Sequence, residues 1–300
     1  MDSSTKNPGQ LIVLGSANRD YTVVVERHPK PGETVLGGAV VVGTGGKGAN
    51  QAAAAARAGA KPIFVGAVGN DSTADDILSD LKSVGVDVSR MIRSDVATGV
   101  ALITVSRDGE NAIVVAAGAN GSLEPAATAS TVAELVSPGA VLLAQLEIPV
   151  EVVAAAASVT EQNGGRFVLN LSPIISAPTR MLTLSDPLIV NESEASELAN
   201  SRIESPVDAE AVAKRLQSTS RSVVITLGGD GVVVADSDGV YHLQASQVPV
   251  VDTTGAGDAF AGTLAATLAA GASLRAAVTA GIAAGAEAVQ YVGAQPPRET

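Results

Sequence analysis

Val141-Leu142-Leu143-Ala144-Gln145, then a helical pattern from Glu151 to Gln162, then Phe167-Val168-Leu169-Asn170-Leu171: this stretch decides the fold. Each short apolar run lacks the in-out alternation of a half-solvated strand and reads as a strand covered on both faces. A helix between two such strands implies a parallel pair, because the chain must cross back before it pairs again. The unit recurs in both directions. Leu11–Leu14, Ile63–Val68, Leu188–Val190 and Val223–Leu227 are further strand candidates. Asp71 to Val84, with Ile77, Leu78 and Leu81 on one face, and Asp208 to Gln217 fit helices of about three turns. The class is α/β, with a central, mostly parallel sheet flanked by helices.

Two segments break the rhythm. Tyr21–Val25 and Thr34–Val42 are joined by His28-Pro29-Lys30-Pro31-Gly32, and Gly99–Ser106 and Ala112–Ala116 by Arg107-Asp108-Gly109-Glu110. These are strands and turns without intervening helices. They read as a small antiparallel sheet built from two insertions, a lid across the mouth of the main sheet. A pair of ordinary edge hairpins is the alternative. The expected domains are 1–17, 47–96 and 117–300 for the α/β body and 18–46 and 97–116 for the lid.

Composition removes several function classes. A net charge of −12 disfavours nucleic acid and anionic membrane as partners, since both require concentrated Lys and Arg. With no cysteine, disulfides and thiolate metal sites are excluded, and the chain is consistent with a cytoplasmic location. His28 and His242 are the only histidines, which makes a His-based metal site or a Ser-His-Asp set improbable. The polar Met1 to Gln10 carries no secretory pattern. Leu264 to Val292 is apolar but interrupted by Gly271, Ser273, Arg275, Gly281, Gly285 and Glu287, so a buried helix pair is expected, not a membrane span. Aromatic residues make up only 2% of the chain, so aliphatic side chains must supply the core.

Chemistry concentrates in Val251-Asp252-Thr253-Thr254-Gly255-Ala256-Gly257-Asp258-Ala259-Phe260-Ala261-Gly262. A Gly-Ala-Gly turn that opens a helix presents unpaired N–H groups to an anion, and the helix dipole favours negative charge there. Asp258 just behind it fits a base that takes a proton from an attacking hydroxyl. Dipole compensation by a first-turn Asp is the competing reading.

Gly43-Thr44-Gly45-Gly46-Lys47-Gly48 satisfies G-x-G-x-x-G, but that fingerprint belongs after the first strand, where Gly15-Ser16-Ala17-Asn18-Arg19-Asp20 stands instead. A dinucleotide oxidoreductase is therefore disfavoured. Nor is it a Walker A, because Val41 replaces the first Gly and Gly48 the hydroxyl residue. Gly45 and Gly46 with Lys47, Asn50, Asn18 and Asp20 offer backbone access, donors and acceptors, a set suited to sugar hydroxyls. Taken singly, each also fits a turn or helix-cap role.

Together these residues resemble the ribokinase family, within the wider group of carbohydrate kinases also called the PfkB family. The resemblance runs from about Leu11 to Gln295. It rests on Gly45-Gly46-Lys47-Gly48-Ala49-Asn50-Gln51 and Asp252-Thr253-Thr254-Gly255-Ala256-Gly257-Asp258. Between them lie Gln145-Leu146-Glu147, Asn191-Glu192-Ser193-Glu194 and Thr226-Leu227-Gly228-Gly229-Asp230-Gly231. The resemblance implies a Rossmann-like core with a β lid that often mediates homodimerisation. It implies that Asn18, Asp20, Gly46, Lys47, Asn50 and Glu147 hold the pentose and that Asp258 is the catalytic base. By the same token Gly255, Ala256 and Gly257 form the anion hole, while Asn191 and Glu194 organise Mg2+ and phosphates, with Glu194 reaching the metal through water. Thr226, Gly228, Gly229 and Gly231, together with Gly257, match the ATP site. Backbone oxygens of Asp252, Thr254, Ala288, Tyr291 and Gly293 match a monovalent-cation site, normally K+.

The implied activity is ATP-dependent phosphorylation of D-ribose at the 5-hydroxyl. Gly118-Ala119-Asn120 and the Gly15–Asp20 run favour ribose over other substrates of the group. The alternatives are a kinase for deoxyribose, a ketohexose or a nucleoside, and an inactive sugar-binding homologue. Pro297 stands where a hydroxyl would help bind K+, Ile282 where a polar residue often borders the adenine, and the sequence stops before the last helix that the resemblance implies.

Overall fold

Residues 9–295 are described by a computed structural model. The chain begins with β1 (Leu11–Leu14), makes a first excursion as β2 (Asn18–Val25) and β3 (Gly37–Gly45), and returns through α1 (Lys47–Arg57) to β4 (Ile63–Gly69). Next come α2 (Ser72–Ser83), β5 (Asp87–Ser94), a second excursion as β6 (Gly99–Ser106) and β7 (Asn111–Ala116), and α3 (Pro125–Leu135). The strand–helix–strand unit of the sequence is β8 (Val141–Ala144), α4 (Val150–Gln162) and β9 (Arg166–Asn170). It is followed by α5 (Thr179–Leu184), β10 (Ser185–Asn191), α6 (Glu192–Leu198), α7 (Pro206–Leu216) and β11 (Val223–Thr226). A hairpin, β12 (Val232–Asp236) and β13 (Gly239–Leu243), precedes the helix pair α8 (Ala256–Ala269) and α9 (Leu274–Ala288).

Among the described residues, nine strands form one sheet in the order β13-β12-β11-β10-β9-β8-β1-β4-β5. Pairing is parallel from β5 to β11 and antiparallel only through β12 and β13. The six expected strands are all present. β5, β12 and β13 are additions to them; β5 is an edge strand whose Asp87, Arg90 and Arg93 mask its pattern.

β1 pairs with β4 on one side and β8 on the other, so strand order reverses between β1 and β8. At such a reversal the loops after the two strands diverge to opposite faces, leaving a crevice at their C-terminal ends. Here the crevice is bounded by residues 15–17 and 145–147. One face of the sheet packs Val132, Val152, Ala156 and Val212 from α3, α4 and α7. The other packs Ala52, Ala53, Leu264 and Val278 from α1, α8 and α9. The α1–α8 contact is close. A Cβ on Gly262 would lie 2.3 Å from the Gln51 carbonyl oxygen, so only glycine lets the two helices approach this far. That approach brings the Asn50 and Gln51 side chains of α1 to the first turn of α8. None of the described helices is long and apolar enough to cross a membrane.

The two excursions form a separate four-stranded sheet, β3-β2-β6-β7. Its outer pairs are antiparallel and its central pair, β2 with β6, is parallel, from Asn18↔Gly99 to Val25↔Ser106. The physical reason is topological. β2 leaves the end of β1 and β6 leaves the end of β5, strands of one parallel sheet, so both excursions set out in the same direction.

Candidate active site

The crevice at the sheet reversal is closed by polar contacts between its two loops. Ser16 Oγ donates to Glu147 Oε2 at 2.6 Å, and the Lys47 backbone N–H donates to the same oxygen at 2.9 Å. Glu147 thereby fixes the first turn of α1, whose N-cap is Gly46 in left-handed backbone (φ 87°) with no side-chain cap of its own. The glycine run is thus a strand end, one connecting residue and a helix start. It presents no phosphate loop.

Asn18, 2% exposed, is oriented by Asn120: Asn120 Nδ2 donates to Asn18 Oδ1 at 2.7 Å and to the Ala17 carbonyl at 3.2 Å. The Ala17 N–H in turn donates to Asn120 Oδ1 at 2.9 Å. With its oxygen taken, Asn18 keeps its amide hydrogens for a ligand. Asp20 lies where a side chain on Gly45 would be, 1.9 Å from the ideal Cβ position, and its Oδ1 is buried with no hydrogen-bond partner among the described residues. An orphaned acceptor in a crevice suits a hydroxyl donor from a ligand.

Burial drives the Asp20 carboxyl up to about 7, helped by the charges of Glu147 and Asp258 and opposed by Arg19. Its ordinary value is 3.8, so the folded protein keeps a proton that the unfolded chain releases between about pH 4 and pH 7. Stability carried by this group is full below that window and is lost as pH rises through it. Asp20→Asn is therefore expected to gain on the order of 2–4 kcal/mol in urea unfolding at pH 8 and nothing at pH 4, with a raised KM for sugar. An Asp20→Asn variant no more stable at pH 8 than the wild type would contradict the strained carboxylate.

Asp258 stands at the third position of α8, 7% exposed. Asn50 Nδ2 donates to its Oδ2 at 3.1 Å and Gln51 Nε2 to its Oδ1 at 2.9 Å. Burial raises its pKa. The Lys47 charge and the Gln51 and Asn50 amides pull it back, Glu147 adds to the rise, and the net direction is upward. A buried carboxylate raised in this way is a better proton acceptor than a free one. The charge of Lys47 counters the Asp258 carboxylate, which agrees with an electrostatic part for its ammonium.

Two adjoining cavities lie along the start of α8, and Asp258 lines one of them. One, about 230 Å3, is lined by Lys47, Asn191, Glu194, Gly255, Gly257 and Asp258 among others. The second, about 260 Å3, is lined by Thr226, Gly228, Gly229, Gly231, Ala256 and Ile282 among others. Thr226, Thr253, Gly257 and Phe260 line both, so they form one continuous cleft. The larger lobe has the size and apolar walls for a nucleobase, and the smaller one the glycine turn and cation for phosphates.

Asn191 and Glu194 form a reciprocal capping box on α6, each side chain accepting the other's backbone N–H at 2.8 Å. Their motif thus has a structural task besides facing the cleft. Asp252, Thr254, Ala288, Tyr291 and Gly293 line neither cavity. Asp252 accepts the Thr254 N–H at 2.9 Å and the Gly293 N–H at 2.8 Å, which ties the glycine turn to the segment after α9. Burial pushes the Asp252 carboxyl up, but those bonds outweigh it and hold it below the usual range. Pro297 lies outside the described residues.

Asn120, Gln51, Gln145 and Asn170 belong to the site, although the sequence alone assigns them no role. Asn120, Gln51 and Gln145 lie inside quoted motifs, and that is the available signal. Nothing marks Asn170, 119 residues from the Gln51 amide that donates to it at 2.9 Å.

A glycine turn that opens a helix, a nucleotide-sized cleft and a carboxylate-rich crevice beside the second sheet fit a kinase of small hydroxylated molecules. The chain matches the description "pfkB family carbohydrate kinase" over residues 9–300. It is 35% identical over 260 residues to a ribokinase of Staphylococcus aureus, covering 86% of this chain and 85% of that one. Identity to a ribokinase of Mus musculus is 37% over 260 residues, covering 85% and 80%. The structure of Arabidopsis thaliana ribokinase complexed with ribose and ATP superposes with a TM-score of 0.87 at 29% identity, covering 96% and 95%. This chain belongs to the pfkB family of carbohydrate kinases.

Proposed function

We propose that this protein transfers the γ-phosphoryl group of ATP to the 5-hydroxyl of D-ribose, giving D-ribose 5-phosphate and ADP. The observation that carries the reading is the position of Asp258, which lines the phosphate lobe of the cleft and lies within electrostatic reach of Asp20 and Glu147 in the crevice. Acidic and amide groups there suit a neutral polyol, whose hydroxyls donate to carboxylates and accept from amides. They repel an anionic sugar, which favours product release.

Asp258 takes the proton of the attacking hydroxyl as the O–P bond forms and the bond to the ADP leaving oxygen breaks. N–H groups at Gly255–Gly257 receive the charge on the transferred group, and Lys47 adds a cation. Such chemistry asks the protein mainly for alignment and charge neutralisation, and alignment supplies about 7–11 kcal/mol in well-oriented reactions.

Mg2+ when bound neutralises phosphate charge. One carboxylate, Glu194, with Asn191 beside it, fits an ion held largely by phosphate oxygens and water. Among the described residues no group of three or more His, Asp or Glu side chains is placed to hold a metal ion. A monovalent cation such as K+ would take backbone oxygens of Asp252, Thr254, Ala288, Tyr291 and Gly293. Both Asp252 oxygens accept backbone N–H groups, so this carboxylate folds the segment and leaves carbonyls as the donors. We assign the reaction to the cytoplasm, where ATP is available. The strand register places Val42 (44% exposed), Leu102 (56%) and Val114 (68%) on one face of the lid sheet, an apolar surface that supports pairing of two copies through their lids.

The test is an ADP-release assay over ribose, deoxyribose, a ketohexose and adenosine, with and without K+. Ribose is expected to turn over fastest, with K+ raising the rate. Absence of turnover on every sugar would sink the enzyme reading, and a faster nucleoside or ketohexose would replace the substrate.

A further inference from the structure

Each oxygen of Asp258 is held by an amide that is itself held from behind. On the Oδ2 side, Arg57 Nη2 donates to Gln295 Oε1 at 3.1 Å, and Gln295 Nε2 donates to Asn50 Oδ1 at 3.1 Å. Asn50 Nδ2 then donates to the carboxylate. On the Oδ1 side, Gln145 Nε2 donates to Gln51 Oε1 at 2.5 Å, and Gln51 Nε2 donates to Asp258 and to Asn170 Oδ1. A primary amide has a donor end and an acceptor end of nearly the same shape, so whatever occupies one end decides what the other presents. Turned round, Asn50 would aim its carbonyl oxygen at a carboxylate.

We propose that Gln295 is a positioning residue for phosphoryl transfer: by donating to the Asn50 carbonyl it directs the Asn50 amide hydrogens at Asp258. Gln145 does the same for Gln51. Gln295 also donates to the Thr44 carbonyl at 3.4 Å, at the root of the lid strand β3, and lies two residues beyond Gly293. The relay therefore joins the segment after α9, the lid root and the base. This inference rests on Asp258 being the base of the proposed kinase.

Gln295 is half-buried near the end of the described chain, so its variants are expected to fold. Gln295→Leu removes the donor to Asn50. It is expected to lower kcat about tenfold, the scale of one hydrogen bond to a charged partner. Gln295→Glu keeps an acceptor for Arg57, now as an ion pair, but draws the Asn50 NH2 group toward itself and turns the carbonyl to Asp258. Its kcat is expected to fall further, by about 100-fold, with an unchanged or raised Tm. A merely structural Gln295 gives the opposite order, because Glu preserves the tie to Arg57 and Leu does not.

The pH profile supplies the second readout. Losing a donor to the charged form raises the pKa of a carboxylate, so the acid limb of kcat moves up in both variants. Lys47, Glu147 and Asp20 also face Asp258 and are untouched by these changes. An unshifted limb, or Gln295→Glu more active than Gln295→Leu, overturns the positioning role. If Asp258→Asn keeps wild-type turnover, the base assignment fails. If Asp258→Asn is inactive while both Gln295 variants stay within about twofold of wild type, only the positioning inference fails.

Discussion

Asp258→Asn is expected to leave ribose and ATP bound within about threefold of wild-type Kd while lowering kcat by about 10²–10⁴, the range of a lost general base. The substitution keeps the size and planarity of the side chain and removes its basicity. Binding survives because the sugar crevice and the nucleotide cleft use other groups: Asn18, Asp20 and Glu147 on one side, Thr226 and Gly228–Gly231 on the other. Calorimetric titration with ribose and a non-hydrolysable ATP analogue, beside single-turnover phosphoryl transfer, separates binding from chemistry.

The stability of the same variant is a balance. Asn50 and Gln51 both aim amide hydrogens at the carboxylate, so an amide at 258 meets one of them donor to donor and orphans it. Against that, the raised pKa means that ionised Asp258 costs the fold stability at neutral pH, a cost the amide lacks. The two terms oppose, so the Tm is expected to move little, and the lost rate belongs to chemistry, not unfolding. Turnover within tenfold of wild type would remove Asp258 as the base.

The repeated apolar runs make the main sheet legible, because a strand covered on both faces leaves a continuous hydrophobic word. β1 is such a run, and each of its four residues is buried. β5 hides because one edge of it faces solvent and its charged residues break the word. The lid strands are visible through their turns. The parallel β2–β6 pairing is not, since it depends on where both excursions leave the main sheet. Asp258 is legible as a first-turn carboxylate behind a glycine turn that opens a helix, a local pattern that fits a base and dipole compensation alike. The amides around it are not, as Gln51, Gln145 and Asn170 meet only after α1 and α8 have packed at the distance that Gly262 permits. Asn191 and Glu194 carry a second meaning at helix-cap spacing, and a sequence alone does not rank a cap against a ligand.

Gly255→Ala is expected to damage both fold and rate, lowering kcat by at least about 10²–10³, the worth of one preorganised donor to developing charge. Gly255 is the N-cap of α8 with φ 77°, in left-handed backbone that costs an L-residue about 1–2 kcal/mol. Space forbids the methyl as well. A Cβ there would lie 2.5 Å from Ala294 Cα and 2.7 Å from the Ala294 carbonyl oxygen, which are backbone atoms that no rotamer change can clear. The strand of chain at 294 cannot retreat freely, since the Gly293 N–H is held by Asp252. The turn itself must therefore move, and its N–H groups leave the phosphate cavity. Gly257→Ala is the control, because nothing lies within 4 Å of its added Cβ and the fold accepts it. Gly257 lines both lobes of the cleft, so that methyl intrudes only on a bound nucleotide and should raise the KM for ATP at wild-type Tm. Thermal unfolding with ATP titration distinguishes the pair: Gly255→Ala loses several degrees of Tm and most of kcat, whereas Gly257→Ala loses nucleotide affinity alone. Wild-type turnover in Gly255→Ala would mean that the transferred phosphoryl group is received somewhere other than this turn.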